Sequence, residues 1–460
     1  MHLTTDPLDG LVENASRLPS PAVPDAVLAF QRLRLLDHLA CLAAGFDAEG
    51  VAPALALAKR YSGRAEASVL GSRLRLAAGQ AAFVNAVRAR ALDFCDVISP
   101  GWHPSSSDVP VALAMAELTG ATGLEMLAAL AVGQDLGQRI NLAAQANGFF
   151  YRGFDSNVLG LFSATTIAAR LLKLPRETFA AALGLAFDYG IGTFQHYQDK
   201  ALAVRIGQGL VARHAIEAAL LAQAGISGPR RVLAGENGFF ALYAPGAADT
   251  HLLRAGLGER FLGQEVTCFK AYPHCSILLA LSDTLIAARA TLCGLDLERC
   301  QIRLEVSPSM RMVCGGPYVP SATAQIDAQF SARYVAANAL LRGRATPAEF
   351  SAEAAREYAL VTLAQRIELI ETSEFQRFDH CRLTLLPAGA ASISLEASHG
   401  RGWPENPLNA HDLRSKFQLC CRQSSSSAFR RSAEGIAAQV DRLAESVSLR
   451  DLLGAVNPPA

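Results

Sequence analysis

Apolar positions recur at helical spacing through most of the first half of the chain. Over residues 26–42 they come every three or four positions around Arg32, Arg34 and Asp37, as in a helix with one face on a core. Asp37 reads as an acidic residue on the solvent face of that helix. Residues 126–136 and 158–172 carry the pattern with many small side chains, which let helix axes approach closely. Residues 177–185 and 211–224 repeat it, and Gly225-Ile226-Ser227-Gly228-Pro229 breaks it. From about residue 22 to 256 the chain reads as nearly all helix.

The texture changes after about residue 265. Residues 301–306 alternate polar and apolar, the period of a half-buried strand. Residues 381–386 and 391–396 alternate likewise across Pro387-Ala388-Gly389, which predicts a hairpin. Between these strands, residues 331–341 and 347–369 read as helices, the second started by Thr346-Pro347. Residues 410–455 return to helix, with Ser424 to Ser427 as a flexible connector or cap. The pattern predicts a mainly α chain with an inserted α+β domain. Residues 1–265 form the helical domain, 266–405 the α+β domain, and 406–460 helices that return to the first.

Composition leaves this picture intact. A chain of 460 residues exceeds what one hydrophobic core usually serves, so two domains are expected. Forty-two basic residues balance 42 acidic ones, which gives no electrostatic reason to seek nucleic acid or an anionic membrane. Cations remain available locally for an anionic substrate. No run of apolar residues is long enough to span a bilayer, and Met1 to Asp6 lacks the basic start and apolar run of a signal peptide. The ten cysteines include no Cys-x-x-Cys pair, and the adjacent Cys420-Cys421 suits neither a metal clamp nor an ordinary disulfide. Reduced thiols in a cytoplasm are the expectation, with no metal site and no iron–sulfur cluster.

Candidate chemistry concentrates in Arg90-Ala91-Leu92-Asp93-Phe94-Cys95-Asp96, followed by Trp102-His103-Pro104-Ser105. Two carboxylates three residues apart share one face of a helix end. The turn Ser99-Pro100-Gly101 then brings an imidazole back toward them, and acids beside a histidine are the raw material of general acid–base catalysis.

The flanking segments Ser68-Val69-Leu70-Gly71, Ala81-Ala82-Phe83-Val84-Asn85-Ala86 and Asp108-Val109-Pro110 through Glu117 follow an order that resembles the MmgE/PrpD family. That family takes in 2-methylcitrate dehydratase, cis-aconitate decarboxylase and iminodisuccinate epimerase. Three later segments are similar to it as well: Lys270-Ala271-Tyr272-Pro273-His274-Cys275, residues 327–336, and Asn406-Pro407-Leu408 with Lys416-Phe417. The resemblance runs from about residue 30 to the end. It implies a large helical domain, a smaller α/β lid, a site in the cleft between them and a homodimer. The reaction it implies is cofactor-independent and passes through a carbanion next to a carboxylate.

Carried over residue by residue, the resemblance makes His103 the acid–base group and Asp93 its orienting or protonating partner. Lys270 and His274 hold carboxylates, and Tyr318 enters from the lid after Gly315-Gly316-Pro317. Asp96 completes the acidic pair. Lys200 and Arg205 lie near a family "K.LhaG" pattern that this chain does not reproduce, with Leu202 in the lysine position and Arg205 in the histidine position. Three further departures stand out: Val97 where a threonine is common, Asp155 where an imidazole is common, and Arg90 for the histidine before "LDF". Asp155, Asp96, Lys200 and Arg205 are therefore substrate-binding candidates. The leading expectation is a dehydratase-like hydro-lyase acting on a small di- or tricarboxylate. Its rivals are an epimerase of a small dicarboxylate, a cis-aconitate-type decarboxylase and a non-catalytic carboxylate-binding homologue.

Overall fold

The computed structural model describes residues 6–61, 63–145, 148–190 and 192–457. Most of the stretch read for a signal peptide lies outside them. Long helices dominate the first part: Asp25–Ala44, Ala78–Arg90, Pro104–Thr119, Gly123–Ala144, Asn157–Leu171 and Ala203–Gln223. Gly123–Ala144 is nearly all buried and begins on a capping box. Thr122 Oγ1 accepts from Glu125 N at 3.1 Å, and Thr122 N donates to Glu125 Oε2 at 2.9 Å, so two orphan donors of the first turn are satisfied. Small residues set the helix spacing here. A Cβ on Gly133 would stand 2.6 Å from the Ser163 carbonyl oxygen of Asn157–Leu171, so only glycine permits this crossing.

The first hydrophobic core runs from Leu8 to Phe261 and then resumes with Phe417, Cys420, Cys421, Phe429 and Ile436. Helices Ala410–Gln423 and Ser427–Asp441 thus pack back onto the first part of the chain, Ala410–Gln423 lying directly on Asp25–Ala44. The link between them is tied down rather than loose: Ser424 and Ser426 are buried, and Ser426 Oγ donates to the Gly71 carbonyl at 3.0 Å.

Asp37 departs from the expected solvent face. It is fully buried, and its Oδ1 accepts from Lys416 Nζ at 2.7 Å. The helix is packed on more than one side, with Ala410–Gln423 covering the face that a single-core reading leaves to water.

The second core gathers residues 277–397 around a four-stranded sheet of order Ile367–Glu371, Cys300–Val306, Cys381–Pro387, Ile393–Ala397. The first pair is parallel and the others antiparallel, with Leu304 opposite both Leu369 and Leu383. The hairpin and the 301–306 strand fall where alternation predicts them. The helix expected over 347–369 does not persist: a short 3-10 turn Pro347–Phe350 and helix Tyr358–Arg366 give way to strand Ile367–Glu371. The alternating Ile367-Glu368-Leu369 run finds a ladder partner in Cys300–Val306, and that pairing overrides local helical propensity. Phe150, Phe194, Tyr197 and Val204 from the helical part also join this second core. Among the described residues no helix is long and apolar enough to cross a membrane, and all ten cysteines are free thiols.

Candidate active site

Helix Ala78–Arg90 ends on two arginines, Arg88 and Arg90, where the carbonyl end of the helix dipole favours cations. Three residues on, Asp93 takes a left-handed backbone (φ 49°), a conformation that aspartate tolerates better than most residues. This turns its carboxylate back so that Arg90 Nη1 donates to Asp93 Oδ1. The chain then forms a closed turn, in which Ile98 N donates to Trp102 O at 2.7 Å and Trp102 N to Ile98 O at 2.9 Å. Helix Pro104–Thr119 follows, with His103 at its N-cap position and Pro104 at its first residue.

Lys270 arrives from far along the chain through a clasp of two bonds. Val97 N donates to Cys268 O and Cys268 N to Val97 O, each at 2.9 Å. This bridge sets Lys270 Nζ 2.9 Å from Asp93 Oδ2 and 2.8 Å from the Asp93 carbonyl. Burial alone would raise the Asp93 carboxyl, but Arg90 and then Lys270 hold it well below the ordinary carboxylate range. Asp93 therefore stays ionised.

His103 is buried with Nδ1 2.9 Å from the Asp96 carbonyl oxygen. A carbonyl only accepts, so Nδ1 carries the proton and Nε2 keeps its lone pair. Nε2 lies 3.9 Å from Asp93 Oδ1. Burial first, then the positive charges of Arg90 and Lys270, hold the imidazole well below its ordinary pKa. The ring is a neutral base.

Arg90, Asp93, His103 and Lys270 meet at one cavity between the two cores. Its other walls are largely apolar: Val97, Phe150, Phe194 and Tyr197 on the helical side, and Ile277, Val313, Phe330, Phe378 and Trp403 on the other. Gly101 lets the Phe150 ring close over the turn, since a Cβ there would sit 2.8 Å from it.

The remaining sequence candidates stand elsewhere, each with its own partners. Asp96 braces the site from behind: Oδ2 accepts from Arg34 Nε at 2.8 Å and Oδ1 from Ser105 N at 3.0 Å. His274 does not line the cavity. Its Nε2 is 2.8 Å from Ser282 Oγ, burial lowers its pKa to about 4, and it serves Lys270 only through its carbonyl, at 3.4 Å. Tyr318 lies inside the second core, its hydroxyl donating to Ala355 O at 2.6 Å and its ring against Tyr334. The loop after Gly315-Gly316 turns into the lid and not into the cleft. Arg205 donates to the Glu49 carbonyl and to Gln325 Oε1 at 3.3 Å, which ties the two domains together away from the cavity. Lys200 is half-buried and also off the cavity wall. Asp155 caps its own segment, accepting from Asn157 N at 3.0 Å and Asn157 Nδ2 at 2.7 Å, with His196 Nε2 at 3.2 Å.

Two cavity residues were absent from the sequence candidates. Arg90 was visible only as a departure from the family pattern, although its three-residue spacing from Asp93 was a usable signal. Tyr197 carried none. Its buried hydroxyl interacts with the Arg90 guanidinium, and burial followed by the charge of Asp155 raises its pKa far above the ordinary range, so it remains protonated.

Residues 10–251 match the MmgE/PrpD N-terminal domain and residues 272–442 the MmgE/PrpD C-terminal domain. The chain is 27% identical to the cis-aconitate decarboxylase of Homo sapiens over 413 residues, covering 86% of this chain and 83% of that protein. It is 25% identical to the Mus musculus cis-aconitate decarboxylase over 428 residues, covering 87% and 84%. A cis-aconitate decarboxylase-like protein, oryM, of Aspergillus oryzae is 24% identical over 377 residues, 78% of each chain. With both domains matched in order, and a helical domain joined to a smaller α/β one, the chain belongs to the MmgE/PrpD family.

Proposed function

We propose that this chain is a lyase of the dehydratase type that works on a small carboxylic acid through an α-carbanion. The observation that carries the reading is His103: Nδ1 is locked on the Asp96 carbonyl, which leaves Nε2 as a neutral base on a cavity that also presents Arg90 and Lys270. The substrate carboxylate lies against those two cations. His103 Nε2 takes the proton from the adjacent carbon, and the charge that develops on the carboxylate is stabilised by Arg90 and Lys270. The electron pair of the broken C–H bond forms the C=C bond. The hydroxyl on the next carbon departs as water, taking a proton from Tyr197 or from the newly formed imidazolium. Asp93 touches Arg90, Lys270 and the His103 ring edge, and so fixes the spacing of all three. Every group this scheme uses is a side chain of the protein, and no cofactor is assigned to it.

Decarboxylation is the second reading. It is the reaction for which the mammalian relatives are named, and the Tyr197 hydroxyl, protonated and on the cavity wall, would supply the proton that replaces a departing carboxyl.

Proton NMR in deuterated buffer, run on a panel of small carboxylic acids, separates these outcomes. Dehydration gives α-deuterium exchange and an unsaturated product that keeps every carboxyl. Decarboxylation gives a product one carbon shorter. Racemisation with exchange and no unsaturated product would replace both with an epimerase. His103→Gln is expected to slow turnover by roughly 10²–10⁴-fold, the range of a lost general acid–base group.

A further inference from the structure

The cavity carries few charges. Arg90 and Lys270 are the only lysine or arginine side chains among the described residues that line it, and both are shared with the ionised Asp93. Two cations less one carboxylate leave a single net positive charge. The cations that sequence alone offered for a second and third carboxylate are committed elsewhere: Arg205 to the Glu49 carbonyl and Gln325, with Lys200 off the wall. Arg90 nevertheless keeps one donor in reserve, since its Nη2 is buried without a hydrogen-bond partner.

Most of the remaining lining is apolar, with Ser99, Cys275, Ser276 and the Tyr197 hydroxyl as its polar members. Phe150 and Phe194 meet edge to face at 5.0 Å, Phe378 and Trp403 do the same at 5.0 Å, and Phe330 closes the wall against Tyr197 at 5.8 Å. A carboxylate pressed against such a wall loses its water and gains no cation. That is the costly form of burial, and it weakens binding by about tenfold or more per uncompensated charge.

We infer that the site is built for an acid with one carboxylate, held by Arg90 and Lys270 beside the His103 base, and an apolar remainder against the aromatic wall, and not for a tricarboxylate. The inference rests on the reading of this cavity as the place of carbanion chemistry, and it narrows that reading to a substrate class. The spare Arg90 Nη2 serves the carboxylate head, and Lys270 adds its charge behind Asp93. The phenylalanines select the tail by excluding water and charge.

Titration calorimetry on the intact protein at fixed ionic strength tests this with three acids that carry no leaving group: 3-phenylpropionate, hexanoate and propane-1,2,3-tricarboxylate. The first two are expected to bind at least about tenfold more tightly than the third. Their ratio tells whether the wall prefers an aromatic or an aliphatic tail. Phe378→Arg, with Val313→Arg as a second variant if the first does not fold, is expected to narrow or invert the preference by adding a cation to the apolar wall. Equal or tighter binding of the tricarboxylate by wild type, or no binding of either monocarboxylate, overturns the inference. The lyase reading is scored separately by α-deuterium exchange on hydroxy acids. Binding of the predicted order without exchange keeps the substrate class and removes the lyase.

Discussion

Two buried carboxylates in this molecule are each paired with lysine, and their surroundings differ in what they leave over. Asp37 meets Lys416 in the seam under helix Ala410–Gln423. Lys416 Nζ spends all three protons, on Asp37 Oδ1 at 2.7 Å, the Phe94 carbonyl at 2.8 Å and the Lys270 carbonyl at 3.0 Å, and it sits 3.7 Å over the Phe94 ring. Asp93 meets both Lys270 and Arg90, and Arg90 retains an unpartnered nitrogen beside a cavity. The first arrangement is saturated and holds helices together. The second has more cation than carboxylate and faces a space. An excess of donors next to an opening separates a site from a strut, and burial of a charge alone does not make that distinction.

The comparison breaks most visibly at the strut. Lys416→Met leaves Asp37 and two carbonyls without their donor, and should cost about 3–5 kcal/mol of stability by urea denaturation. Adding Asp37→Asn should recover part of that loss. A loss below about 1 kcal/mol for the single variant would mean that the seam does not depend on the pair. At the site the same kind of change should spare the fold and remove function. Arg90→Gln is expected to lower kcat/KM by roughly 10²–10³-fold, as for a lost oxyanion donor, with a much smaller shift in unfolding midpoint. Equal damage to stability and activity would erase the distinction.

Acid titration sharpens it with opposite signs. Burial pushes Asp37 up to about 6 from the ordinary 3.8, even against Lys416. The folded state thus binds this proton more readily than the unfolded one. The contribution of Asp37 to stability is present below about pH 4 and is lost as pH rises toward 6. Asp93, held below the ordinary range, contributes fully above about pH 4 and loses that contribution as the pH falls further. Urea midpoints measured across this range for wild type, Asp37→Asn and Asp93→Asn should show the pH 4–6 slope altered in the first variant alone, and parallel curves would refute the assignment. His103, whose pKa lies well below 6.5, should keep kcat/KM from falling between pH 7 and 6. The smallest effect is expected from chelation: prolonged exposure to EDTA should leave turnover unchanged, and loss with rescue by a divalent ion would remove the metal-free scheme.

The helices were legible because buried faces repeat at helical intervals, and the 381–397 hairpin because alternation and a Pro-Ala-Gly turn coincide. The strand Ile367–Glu371 was not, since its partner lies more than sixty residues away and only the ladder favours it over helix. At the site, Asp93, His103 and Lys270 came from motifs whose order along the chain was informative. Motif order says nothing of which way a side chain points. Tyr318 turned to Ala355, His274 to Ser282 and Arg205 to Glu49 because each found a hydrogen-bond partner away from the cavity. Asp37 was misread because a second layer of helix covers its face. The aromatic wall was invisible because its members come from five separate segments.

The Lys416 contacts also order events in time. Its ammonium group fastens the carbonyls of Phe94 and Lys270, the backbone next to the ionised aspartate on one side and the backbone of the site lysine on the other. A chain leaving the ribosome carries His103 and Asp93 long before it carries residue 416. Until residue 416 has emerged, the Val97–Cys268 bridge and the Lys270–Asp93 bonds hold the two segments without this third fastening. The Lys416 fastening is therefore added late, and truncations that remove Lys416 while sparing every residue lining the cavity should loosen the Phe94 and Lys270 segments from one another.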